Sequence, residues 1–287
     1  MTVLQMLFLM LSGFGAGIIG ALFGLGGGIL IIPILALVLK VPMHNAIATS
    51  LLCVIATSSA AASKNVARGI ANVRLGMTLE LWTVAGAMVG GLIAGYLPGR
   101  TLMLLFATAM LLMSIPMSRG VEDEGHEQDS SAGNLEIEPL AFRDRLRGEY
   151  FDTAQNVTVS YRLTNLPAAM GVSVLAGGLS GLLGVGGGIL KVPVLSLYCG
   201  IPLKAAAATS NFMIGVTAVA SAVVYYGRGD VSPLITGASV LGVFLGSRIG
   251  SVIANYVHPR RLRKAFALLM AIVALQMFWR AIGGNVR

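Results

Sequence analysis

Charge is what this chain has least of. Only 11% of its 287 residues are charged, and twelve acidic residues face twenty basic ones. With 56% hydrophobic residues, 37 glycines and a mean hydropathy of +0.83, that scarcity excludes an ordinary soluble domain, in which about a quarter of residues are charged. Cysteine is nearly missing too. Cys53 and Cys199 are the only two, both in apolar surroundings and without ligand spacing, so neither a disulfide framework nor a zinc site is suggested. They read as buried small hydrophobes, with a sulfur-relay role as the alternative. No metal, no cofactor and no enzymatic activity are expected. Carboxylates at membrane depth are almost absent: Glu80, opening "ELWTVAG", is the one clear candidate, and its place beside Trp82 reads as a solvated helix start. A cation permease should carry an Asp/Glu or Asp/His cluster there. The net charge of +8 comes with no basic patch interleaved with aromatics, so no nucleic-acid partner is expected. The opening "MTVLQMLFLM" lacks the basic region of a cleavable signal and is read as staying in the protein.

What the chain does have is long apolar runs. They cover residues 3–23, 46–62, 77–97, 102–117, 166–183, 205–226, 231–257 and 265–282, near the roughly 20 residues a helix needs to cross a bilayer. They do not alternate as the strands of an outer-membrane barrel would. The expected fold class is therefore an all-α polytopic membrane protein.

A second feature is duplication. Gly20 to Ser50 aligns without a gap on Ser180 to Ser210, with 15 of 31 positions identical, and the same offset pairs Gly86 with Gly246 and Gly90 with Gly250. We read three parts: a first membrane repeat over 1–118, a soluble linker over 119–162, and a second repeat over 163–287. The linker begins with the acidic "VEDEGHEQDSSAGN" and ends with an alternating "VTVSYRL" that suits a short strand or hairpin.

Each repeat places a glycine triplet before an apolar piece, Ile29 to Leu39 and Ile189 to Cys199. At 1.5 Å per residue such a piece reaches only about 18 Å, short of a ~30 Å hydrocarbon core. It is a broken, tilted or re-entrant helix, which backbone chemistry tolerates only inside protein or beside a water-filled cavity. Counting both pieces as crossings gives ten segments and an inverted repeat. Thirteen basic residues then fall on the linker side against five on the other, whereas eight crossings give eleven against seven. The positive-inside bias favours ten, with both termini outside and the linker in the cytoplasm.

The doubled "GxGGGxxxxPxL", each copy followed by a proline and an "ATS" triplet, together with "SNFMIGVTA" in the second half, resembles the TauE/SafE sulfite exporter family, also called the 4-toluene sulfonate uptake permease family. The resemblance covers both repeats. It implies secondary transport, generally outward, of small sulfur-containing anions such as sulfite or organosulfonates across the cytoplasmic membrane, with protons as the coupling ion. Permeases for another small anion or for a cation remain as alternatives.

Candidate substrate-binding residues follow from what an anion needs inside a membrane. Gly26, Gly27, Gly28, Gly186, Gly187 and Gly188 would let a sulfonate-like group approach backbone N–H groups at a broken helix start, or would serve close helix packing. Thr49, Ser50, Thr209, Ser210 and Asn211 offer donors suited to sulfonate oxygens, although Ser and Thr also bond back to their own helix. Lys191 and Arg248 are basic residues at hydrocarbon depth, where charge by default marks a pathway. Snorkelling is the other reading for Lys191 and a clamp onto carbonyl groups the other for Arg248.

Overall fold

A computed structural model of the protein describes residues 3–23, 27–119, 147–152, 157–197, 199–253 and 259–283. Gly26 and linker residues 120–146 lie outside the described residues. The first half runs α1 (Val3–Phe23), α2 (Gly28–Pro33) with a π-helical continuation (Ile34–Val38), α3 (Met43–Ala67), α4 (Val73–Tyr96) and α5 (Gly99–Arg119). A hairpin of β1 (Gly148–Asp152) and β2 (Val157–Tyr161) follows. The second half runs α6 (Leu166–Leu183), α7 (Gly188–Leu197), α8 (Leu203–Gly227), α9 (Pro233–Ile253) and α10 (Pro259–Ile282). Six of the described helices, α1, α3, α4, α6, α8 and α9, are long and apolar enough to cross a bilayer. The protein is an all-α polytopic membrane protein.

Local chemistry explains where the helices begin and break. Pro42 and Pro202 stand immediately before α3 and α8, and Pro233 and Pro259 open α9 and α10, positions at which a missing N–H costs nothing. Asn72 caps α4 by accepting a hydrogen bond from the Leu75 N–H at 3.0 Å. Pro33 cannot donate within its helix, and the backbone widens into the π turn directly after it. In the second repeat α7 continues as a regular α-helix to Leu197 despite Pro193. Both pieces match the half-length expected of them.

Packing crosses between the halves. α1 packs chiefly on α9, α4 on α6, α3 on α8 and α5 on α10. Glycine is what permits the first two contacts. A Cβ at Gly246 would run into the Phe14 carbonyl, and one at Gly86 into the Val174 carbonyl, so backbone lies against backbone as in other small-residue membrane interfaces. Pair contacts fix directions. Thr49 meets Thr236 at 3.1 Å and Lys64 meets Ser251 at 3.3 Å, so α3 and α9 run the same way. Asn72 meets Thr209 at 3.0 Å and Arg228 meets Gly91 at 2.6 Å, so α4 and α8 also run the same way. The hairpin packs on helices of both halves through Tyr150 and Tyr161, which join a core with Leu75 and Leu79 of α4, Leu195 of α7 and Met213 of α8.

Candidate functional site

The break before α2 lies close to the end of α6, where a Cβ at Gly28 would stand 3.4 Å from the Gly184 carbonyl. Gly27 precedes α2 in the left-handed region, with φ 67°, and before α7 both Gly186 and Gly187 are left-handed, with φ 82° and 66°. These conformations are strained for any residue with a side chain. A Cβ at Gly28 would strike Val54 and the Ser50 hydroxyl, and one at Gly188 would strike Ile214. In this conformation the glycines are therefore explained by close packing of the breaks against α3 and α8.

The hydroxyl residues of the first "ATS" triplet bind structure. Ser50 Oγ lies 2.8 Å from the Gly184 carbonyl and 3.0 Å from the Gly28 carbonyl, so one hydroxyl joins the break of its own half to the end of α6 in the other. Thr49 shares a hydrogen bond with Thr236 on α9, and Thr209 accepts one from the Asn72 backbone N–H. The second triplet differs at its last member. The Ser210 hydroxyl is fully buried and has no hydrogen-bond partner among the described residues, and a Cβ at Gly188 would come within 3.2 Å of it. Asn211 follows it, half-buried on α8.

Lys191 is the charged residue of this centre. It is 1% exposed, so snorkelling does not describe it. Its ammonium donates to Thr217 Oγ1 at 3.4 Å and stands 3.9 Å from Glu80 Oε2. Glu80 corrects the sequence-based expectation of a solvated helix start. The residue is 6% exposed, inside the bundle, with Oε1 accepting from Thr217 Oγ1 at 2.7 Å and Oε2 without a hydrogen bond among the described residues. Sequence reasoning singled out Glu80 but placed it at a solvated helix start, and it missed Thr217. A usable signal was there, because the 160-residue offset pairs Glu80 with Val240 and Lys191 with Ile31. The second copy of a core position was thus apolar.

Arg248 does not join the others. It is exposed near the end of α9, its guanidinium 5.2 Å from the Phe244 ring. Cys53 and Cys199 are fully buried, and the described residues hold no group of three His, Cys, Asp or Glu that could ligate a metal.

Other proteins share this organisation. The profile of the sulfite exporter TauE/SafE family matches residues 9–277. A probable membrane transporter protein, YunE, of Bacillus subtilis is 25% identical over 97% of this chain and 99% of its own length. A probable membrane transporter protein of Xylella fastidiosa is 27% identical over 94% and 92%, and one of Methanocaldococcus jannaschii, MJ0441, is 25% identical over 94% of each chain. No solved structure matches the chain. A family profile spanning nearly all of both repeats makes the chain a member of the sulfite exporter TauE/SafE family, and with it an integral membrane transporter.

Proposed function

We propose that the protein is a secondary transporter of small sulfur-containing anions, sulfite or short organosulfonates, in the cytoplasmic membrane, working outward by alternating access of its two repeats. One observation carries the reading: an ammonium group is held almost wholly out of water on a half-length helix between the two repeats. An ammonium has three donors, and among the described residues Lys191 uses one of them, at 3.4 Å. A buried cation so sparsely bonded favours an anion that reaches it.

The path we assign runs along the two breaks. Lys191 neutralises the anion, Ser210 and Asn211 donate to its oxygens, and the N–H groups at the glycine-broken starts of α2 and α7 contribute where the halves part. Thr49, Ser50 and Thr209 hold the frame around this path. Arg248, exposed on the outside of α9, is left out.

Rocking of inverted repeats is the motion this arrangement suits. α3 and α4 are joined by a short turn at 68–72 and so run oppositely, while α9 follows the direction of α3. Hence α9 opposes α4, its own repeat mate, which supports an inverted relation of the repeats. A sulfur-relay role has less support, because a thiol acts as a nucleophile only where substrate reaches it and both cysteines are buried.

The test is ligand-induced thermal stabilisation of the purified protein by sulfite, thiosulfate, ethanesulfonate, sulfate, acetate and divalent cations. Selective stabilisation by a sulfur anion, lost in Lys191→Ala, is expected. Stabilisation by a cation alone, or an unchanged response in Lys191→Ala, would sink the reading.

A further inference from the structure

We propose that Glu80 carries the coupling proton: Lys191 exchanges Glu80 for the transported anion, and the released carboxylate takes up one proton. This rests on the anion-transport reading above. It adds a named residue, a stoichiometry and an order of events.

The first support is the geometry of the pair. Glu80 Oε2 is buried, without a hydrogen bond among the described residues, and 3.9 Å from Lys191 Nζ, while Oε1 is held by Thr217. The two charges attract but do not form a close, saturated ion pair. A buried ion pair stabilises a fold only when the remaining lone pairs and protons are also satisfied. Here one carboxylate oxygen is left free to accept a proton, and the ammonium has donors left for an anion.

The second support comes from the duplication. The 160-residue offset sets Ile31, Val240 and Thr57 opposite Lys191, Glu80 and Thr217. Ile31 is fully buried and Val240 packs against the main core. Thr57 bonds back to the Cys53 and Val54 carbonyls of its own helix, at 3.1 and 3.2 Å. The positions that correspond to the charged pair are thus filled by two aliphatic residues. Nothing in the architecture asks for charge there, so the charged version has a purpose other than holding the helices together.

The third is isolation. α6, packed against α4, has no titratable side chain. On α8 the nearest charges are Lys204 and Arg228, roughly 20 and 16 Å along the helix from Thr217; Tyr225 lies between, bonded to the Gly181 carbonyl. Arg74 is roughly 9 Å along α4 from Glu80, and α7 contributes Lys191 alone. Tyr150 and Tyr161 of the hairpin pack near Leu75 and Leu79. Among the described residues, Lys191 is thus the charge Glu80 answers to.

Charge balance then dictates the cycle. Without substrate, carboxylate and ammonium cancel. When a monovalent anion takes the ammonium, the carboxylate would be left as an unpaired buried charge, which is costly. Accepting a proton from the open side restores neutrality. Both states that change orientation are then neutral, and one proton accompanies each monovalent anion in the same direction, so outward movement occurs when the anion stands higher inside by more than the opposing proton gradient. On the far side the anion leaves, the proton returns to water, and the Glu80 to Lys191 pairing re-forms.

The experiment uses the full chain in liposomes, with three monovalent anions, bisulfite in mildly acidic buffer, methanesulfonate and ethanesulfonate, tested first in counterflow. For the anion that moves, a gradient one pH unit more alkaline inside is then imposed. Electroneutral one-to-one coupling gives wild type about tenfold accumulation. Glu80→Gln, which mimics the protonated form, is expected to keep counterflow and to stop at equal concentrations. Accumulation by Glu80→Gln equal to wild type, or wild-type movement indifferent to the gradient, overturns the coupling and leaves anion transport standing. Movement of none of the three anions by wild type overturns the transport reading and this one together. Should Glu80→Gln not remain monodisperse, the pair Glu80→Val with Lys191→Ile, copied from the repeat mates Val240 and Ile31, carries the test. It is expected to fold and to move no anion, and wild-type movement by it would overturn the proposal.

Discussion

Ser50 and Gly184, 134 positions apart in sequence, are joined at the centre of the molecule by a hydroxyl-to-carbonyl distance of 2.8 Å. The same hydroxyl reaches the Gly28 carbonyl at 3.0 Å, so the contact ties one half's break to the other half's helix end. Ser50→Ala should lower stability by about 1 to 3 kcal/mol, since it strips buried carbonyls of a donor. Ser210→Ala, at the repeat mate that has no partner among the described residues, should cost less. Thermal midpoints in detergent decide this, and equal losses would refute it.

The charged pair makes a distinct prediction about stability. Lys191→Ala leaves Glu80 buried and unpaired, a loss of about 3 to 5 kcal/mol, whereas replacing both partners by aliphatic residues is often neutral or stabilising. Lys191→Ile with Glu80→Val should therefore unfold at a higher temperature than Lys191→Ala alone. A double variant less stable than the single would show that the pair is a structural clasp.

Glycine positions separate by what surrounds them. Gly246→Ala drives a methyl into the Phe14 carbonyl, whereas at Gly171 on α6 a Cβ meets nothing within 4 Å. Overpacking costs about 1 to 3 kcal/mol, and an unhindered helical Gly→Ala gains up to about 1 kcal/mol. Opposite shifts in thermal midpoint are expected. Similar shifts would mean that the contact between α1 and α9 is looser than drawn here.

Arg280 closes the far end of the first broken segment, its guanidinium 2.6 Å from the Leu37 carbonyl and 3.1 Å from that of Ala36. Charge-assisted hydrogen bonds contribute about 1.5 to 3 kcal/mol, and this side chain is only half-buried, so Arg280→Ala should cost about 1 to 2 kcal/mol. Faster backbone amide exchange confined to residues 34–41 is the expected signature. A uniform change along the chain would argue against a local role.

Much of the architecture could be read before any coordinate. Apolar runs set the spans because backbone groups in lipid must bond within their own helix, and α1 and α6 begin and end at the residues the hydropathy suggested. The glycine triplets and following prolines marked the broken segments for the same reason. Side-chain partnerships were less legible. Glu80 stands eight positions into α4 beside an exposed Trp82, and sequence spacing cannot tell which face of a helix meets α8. Arg248 failed in the opposite way: depth along a helix was readable, but its outward face was set by packing of Gly246 and Gly250 against α1.

The exchange of partners between halves also has a consequence for biosynthesis. α1 finds its main packing partner in α9, which leaves the ribosome about 230 residues later. At roughly 5 to 20 residues per second, α1 waits on the order of ten to fifty seconds in the bilayer with its glycine face unmatched. The chain cannot mature one half at a time, so a stalled or truncated product should be a substrate for membrane quality control, however well its individual helices have inserted.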